Sequence, residues 1–115
     1  MKDQLYLLRP GFFNASLGPL YCSDSAPVEG VLSFFPKLRQ MIEIHYLEFP
    51  RPRVALVNAL GEEHQSLPVL VLSSASKIKD PDLEPSSVNG KRYFSDEGDI
   101  RRYLSTQYDL PHASE

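Results

Sequence analysis

At 115 residues the chain is long enough for one domain with a core of its own and too short for two. Its apolar fraction of 42%, with 6 Tyr and 6 Phe, excludes a disordered polymer. A net charge of −3 with no basic run argues against nucleic acid or an anionic membrane as partner, and a single cysteine excludes an intramolecular disulfide.

One free cysteine suits a reducing compartment. The first apolar run, Leu5 to Leu8, is broken by Arg9-Pro10. It is too short for a signal-peptide core or a membrane span, so a soluble, cytoplasmic protein is expected. Gln4 to Leu8 (QLYLL) is almost wholly apolar and suits a strand buried on both faces. Arg9 to Tyr21 contains two Gly and two Pro and reads as a loop. Ser23, Asp24 and Ser25 offer N-cap side chains. Val28, Val31, Leu32, Phe35 and Leu38 then form one helical stripe, which Pro36 should kink or end near Phe35.

Ile42 to Phe49 alternates at first and then becomes mixed, as in a strand at a sheet edge. Pro50 and Pro52 bracket the start of a short helix, with Pro52 suited to its first position, Val54 to Leu60 its body and Gly61 its end. Val69 to Leu72 is a second continuous apolar run and hence a second central strand. Ser73 to Val88 is a Ser/Pro/Asp-rich loop with little structural signal. Asn89-Gly90 is a turn, Lys91 to Phe94 a short strand, and Ser95 or Asp96 caps a last helix carrying Ile100, Tyr103 and Leu104. The tail after Leu110 is expected to fray. The order is β-α-β-α-β-β-α in a single domain, residues 1–115. Placing the two apolar strands centrally gives a mixed four-stranded sheet ordered 2-1-3-4 in chain numbering.

That order, with a cysteine before the first helix and a proline before the third strand, resembles the thioredoxin-like superfamily. Within it the chain is similar to glutaredoxins and to the N-terminal domain of glutathione transferases. Three segments carry the resemblance: Tyr21-Cys22-Ser23-Asp24-Ser25, Ser66-Leu67-Pro68-Val69-Leu70-Val71-Leu72, and Phe94 to Leu104 (FSDEGDIRRYL). The phrases Leu7-Leu8-Arg9-Pro10-Gly11-Phe12-Phe13 and Phe49-Pro50-Arg51-Pro52-Arg53 also resemble a bacterial family of uncharacterised function in this superfamily. The resemblance implies a thioredoxin-like three-layer α/β sandwich with a cis Leu67–Pro68 bond, whose exposed Leu67 backbone faces the thiol and pairs with a peptide-like substrate. It implies that Asp96 meets the γ-glutamyl ammonium of glutathione. Glu97 stands where transferases carry a serine that holds the γ-glutamyl carboxylate, and its charge would repel that group. Both residues also suit a first helical turn, where acids favour the macrodipole.

Cys22 and Ser25 form a Cys-x-x-Ser. At a helix N-terminus, unpaired N–H groups favour the thiolate, which is the nucleophile. Without a resolving cysteine, Cys22 would form a mixed disulfide with glutathione or a peptide thiol, as monothiol glutaredoxins do. Asp24 and Glu29 oppose such activation by their charge, and Pro27 by its missing N–H. A half-buried, inert thiol under the loop 9–21 is the competing reading. Two functions stand open. One is a monothiol, glutathione-linked oxidoreductase with Cys22 and Ser25 at its centre and Leu67, Pro68, Asp96 and Glu97 around it. The other is a non-catalytic peptide- or protein-binding module, monomeric or homodimeric. Phe12, Phe13 and Leu20 would fold over the site as an apolar lid or enlarge the core. No tightly bound cofactor and no metal are expected, because His45, His64 and His112 share no ligand spacing and read as surface residues. Arg51 and Arg53 read as a solvated pair.

Overall fold

The computed structural model describes residues 1–114. In chain order its elements are β1 (Gln4–Leu8), β2 (Phe12–Asn14), β3 (Leu17–Leu20), α1 (Ser25–Phe34), α2 (Leu38–Met41), β4 (Glu43–Leu47), α3 (Val54–Leu60), β5 (Val69–Val71), β6 (Ser86–Val88), β7 (Lys91–Phe94) and α4 (Glu97–Gln107).

The main sheet is mixed and has five strands, not four, in the order β4-β1-β5-β7-β6. β1 pairs parallel with β4, Leu5 opposite Ile44, and antiparallel with β5, Leu5 opposite Leu70. Successive side chains of a strand point to opposite faces, so β1 feeds two cores. Leu5 and Leu7 join Val28, Leu32, Ile100 and Leu104 under α1 and α4. Tyr6 joins Leu56, Leu60, Val69 and Val71 under α3. Helices therefore cover both faces of the sheet, which is why β1 and β5 read as unbroken apolar runs. The outer strand β4 is only half-buried.

Two stretches expected as loops are structured. Within 9–21, β2 and β3 form a separate two-stranded hairpin, Phe12 opposite Leu20. Gly18 is obligatory there. At its φ of +151°, a Cβ would lie 2.8 Å from the Phe12 carbonyl and 2.7 Å from the Phe13 ring. Within 73–88, β6 pairs with β7 across Asn89-Gly90, both at positive φ as a tight hairpin turn requires. The rest of that loop is pinned at two points. Asp3 Oδ1 accepts from Ser73 N at 2.7 Å and Ser76 Oγ at 2.6 Å, while Tyr103 Oη donates to Asp3 Oδ2 at 2.6 Å. Arg102 grips the covered Asp80 carboxylate at 2.6 and 3.1 Å. Arg102 also holds that carboxyl below the usual range. Leu83 and Ile78 pack into the larger core.

Helix ends follow local chemistry. α1 stops at Phe34, with Phe35 as its C-cap just before Pro36, and α2 restarts the chain at Leu38. α3 begins at Val54 with Arg53 as N-cap, so Pro52 lies outside the helix rather than in its first turn. Leu110 packs on the core, and one residue into the tail expected to fray, Ser105 Oγ donates to the Pro111 carbonyl at 3.0 Å. Among the described residues, no helix is long and apolar enough to cross a membrane.

Candidate functional site around Cys22

Cys22 lies just ahead of α1 and is half-buried. Asp24, the formal cap, makes no side-chain capping bond. The sulfur does that work: Ser25 N donates to Cys22 Sγ at 3.3 Å, and Ala26 N donates to the Cys22 carbonyl at 3.1 Å. Cys22 is thus the functional N-cap of the helix, in the place usually held by an oxygen side chain. On its other side the thiol points at the Leu67 carbonyl, 3.9 Å away. A cis bond joins Leu67 to Pro68, which leads into β5. Cys22, Leu67 and Pro68 are therefore brought together.

Ser25 is near the sulfur only through its backbone. Its buried hydroxyl turns away and accepts the Leu8 N–H at 3.3 Å, tying α1 to the end of β1. Asp96 and Glu97 sit at the start of α4, at the same end of the sheet as Pro68, because β5 and β7 pair through Leu70 and Phe94. Both carboxylates are engaged by their own helix. Asp96 Oδ2 accepts from Asp99 N at 3.0 Å, and Glu97 pairs with Arg101 at 2.7 Å. These are an N-cap bond and an i,i+4 ion pair, contacts that acids in a first helical turn make.

The charges around the thiol differ from those its sequence neighbours suggest. Glu29 is bound by Arg39 at 2.7 Å and by Tyr46 Oη at 2.6 Å. Burial, then this hydrogen bond, raises the Tyr46 phenol above its ordinary range. Arg53 is buried rather than solvated. Its guanidinium donates to the Phe49 carbonyl at 2.7 and 3.1 Å and to the Gln65 carbonyl at 2.7 Å, and lies 5.6 Å from the Phe49 ring. Burial first, and Arg51 second, push Arg53 below its ordinary range, while Cys22 as thiolate pulls it back up. Neither Arg53 nor its partner Gln65 carries a sequence signal for this position.

A cavity of about 320 Å³ opens beside the sulfur, walled by Leu7, Leu8, Pro10, Tyr21 and Ala26 and reaching Glu29 and Tyr46. Pro10 and Tyr21 flank the hairpin. The hairpin itself forms no lid and adds little to the core: Phe12 stacks on Phe49 at 4.5 Å, and Phe13, Leu17 and Leu20 are exposed. His45 stacks on Tyr6 at 4.8 Å and bonds Gln4, and His64 lies against Tyr93, so neither is a free surface group. Among the described residues, no group of three His, Cys, Asp or Glu is placed to hold a metal ion.

No curated protein and no solved structure matches the chain. A family model described as protein of unknown function (DUF3088) matches residues 2–112, and the chain belongs to that family.

Proposed function

We propose that this is a thioredoxin-fold domain that exchanges disulfides through the single thiol of Cys22, with glutathione as co-substrate. The observation that carries the reading is the sulfur's position. It accepts the Ser25 N–H at the head of α1 and faces the Leu67 carbonyl. Exchange proceeds through the sulfur as nucleophile, and the Ser25 N–H is a hydrogen-bond donor aimed at it. The Leu67 carbonyl is an acceptor for a peptide N–H of an incoming substrate.

In the first step the Cys22 thiolate attacks the glutathionyl sulfur of a mixed disulfide. The substrate S–S bond breaks, a new Cys22–glutathione disulfide forms, and the other half leaves as a thiolate. A second glutathione thiolate then attacks the glutathionyl sulfur on Cys22. Glutathione disulfide departs and the Cys22 thiolate returns, so no further oxidant or second protein cysteine is needed.

Incubation of the purified chain with glutathione disulfide, read by intact mass, tests this. One glutathione adduct is expected, and none on Cys22→Ser. Absence of the adduct on the wild-type chain would overturn the proposal.

A second reading is a non-catalytic binding module that holds a peptide beside Pro68. It is favoured by the Glu97–Arg101 ion pair, which engages the carboxylate standing where transferases carry a serine. Peptide binding that survives Cys22→Ser, without adduct formation in the wild type, would select it.

A further inference from the structure

The cavity beside Cys22 has walls of one kind. Leu7, Leu8, Pro10, Tyr21 and Ala26 present hydrocarbon, and the sulfur borders them. Its polar members are spoken for. The Ser25 hydroxyl holds Leu8 N, and the Glu29 carboxylate is shared between Arg39 and Tyr46. An anionic ligand would meet the Glu29 carboxylate, and a cationic one would have to displace Arg39 from it. An uncharged apolar group meets neither obstacle and releases water from hydrocarbon walls. The space of about 320 Å³ equals that of about ten water molecules, enough for a benzyl-sized group. It lies beside the β4 side of α1, whereas the Leu67 carbonyl approaches the same sulfur from β5. The thiol therefore stands between a hydrocarbon cleft and a polar backbone edge.

We infer that this cavity is a subsite for an uncharged, apolar substituent on the substrate that Cys22 attacks. The assignment rests on the disulfide-exchange reading for its chemistry and on the cavity walls for its specificity. The walls select the carbon skeleton of that substituent, not its sulfur.

Two maleimides of equal warhead and different bulk test the subsite, since both alkylate a thiol without any disulfide. The full chain is reacted with N-benzylmaleimide and N-methylmaleimide, each rate being divided by that for N-acetylcysteine amide. The normalised ratio is expected to favour the benzyl compound about tenfold. It should fall to about one in Ala26→Leu, where the added carbons occupy the cleft, and in Tyr21→Ser, which removes the exposed wall; circular dichroism confirms folding. The ratio cancels any general change in thiol reactivity. Equal normalised rates in the wild type, or a preference that survives both variants, would overturn the assignment. Should Cys22 react with neither reagent, amide chemical shifts of Cys22→Ser titrated with unreactive N-benzylsuccinimide decide. Shifts centred on Leu7, Leu8, Tyr21 and Ala26 support the subsite, and their absence sinks it. A benzyl preference without a glutathione adduct would remove the oxidoreductase reading and leave the subsite in place.

Discussion

Replacing Tyr103 with Phe removes one oxygen from the most buried polar network in the molecule. Tyr103 is 1% exposed and donates to Asp3, itself 2% exposed, at 2.6 Å. The other Asp3 oxygen takes Ser73 N and Ser76 Oγ, and among the described residues Asp3 has no ion-pair partner. The carboxylate is therefore held in the interior by hydrogen bonds alone. Phe keeps the ring and its packing on Phe94 at 5.4 Å, so no cavity opens. What is lost is a hydrogen bond to a charged group, worth about 1.5–3 kcal/mol. Taking about 2 kcal/mol, and about 4 °C per kcal/mol for a chain of this size, the melting temperature should fall by about 8 °C. Urea unfolding and thermal melts followed by circular dichroism measure both quantities. The network lies at the start of β1 and Cys22 beyond its other end, so iodoacetamide labelling of Cys22 at fixed pH should keep its wild-type rate. A stability loss below about 0.5 kcal/mol would refute the hydrogen-bond argument. A matching collapse of Cys22 labelling would refute the claimed separation of the two ends.

Ser25→Ala should destabilise the fold by about 1–2 kcal/mol, because the buried Leu8 N–H loses its acceptor; an unchanged urea midpoint would show that water replaces the hydroxyl. Arg53→Met should cost about 2–4 kcal/mol by orphaning the Phe49 and Gln65 carbonyls, and a variant as stable as the wild type would make Arg53 dispensable to the 49–65 segment. Burial first, then Asp3, raise the phenols of Tyr103 and Tyr108, the latter to about 12. An unfolded tyrosine ionises near ~10, so between there and about 12 the folded chain keeps protons the unfolded chain has lost, and stability should decline as pH rises through that window. Tyr108→Phe should flatten the decline in urea midpoints taken from about pH 8 to about pH 11; an identical slope in the variant would assign the decline elsewhere.

The parts of the fold legible in the sequence are those whose partners repeat at short range. QLYLL and VLVL announce central strands because both faces are covered, and Asn89-Gly90 announces its hairpin because the turn demands positive φ. The β2–β3 hairpin gave no such signal. It stands outside both cores, so its residues are exposed without alternation, and Gly18 and Pro19 read as breakers. The 73–85 segment was opaque for a different reason. Its order comes from Asp3, 70 residues away in sequence from Ser73, and from Arg102, 22 residues from Asp80. A polar residue in a loop reads as solvated until the remote group it bonds is known.

The same distinction governs the site. Local signs put Cys22 ahead of a helix and Pro68 ahead of an apolar run, whereas their facing each other is what the resemblance implies; the Leu67 carbonyl does lie 3.9 Å from the sulfur. The electrostatics could not be placed that way. Asp24 and Glu29 are the charges nearest to Cys22 in sequence, yet Glu29 is bound by Arg39 and Tyr46, which lie on α2 and β4. Arg53 lies 31 positions downstream of Cys22 in the chain. In space it is a buried cation that donates to the Phe49 and Gln65 carbonyls, without a carboxylate partner among the described residues. Of the two acids, Glu29 is thus engaged by Arg39 and Tyr46, while Asp24 makes no side-chain capping bond. The spacings Asp96 to Asp99 and Glu97 to Arg101 are those of a capping bond and of an i,i+4 pair, and both bonds are made.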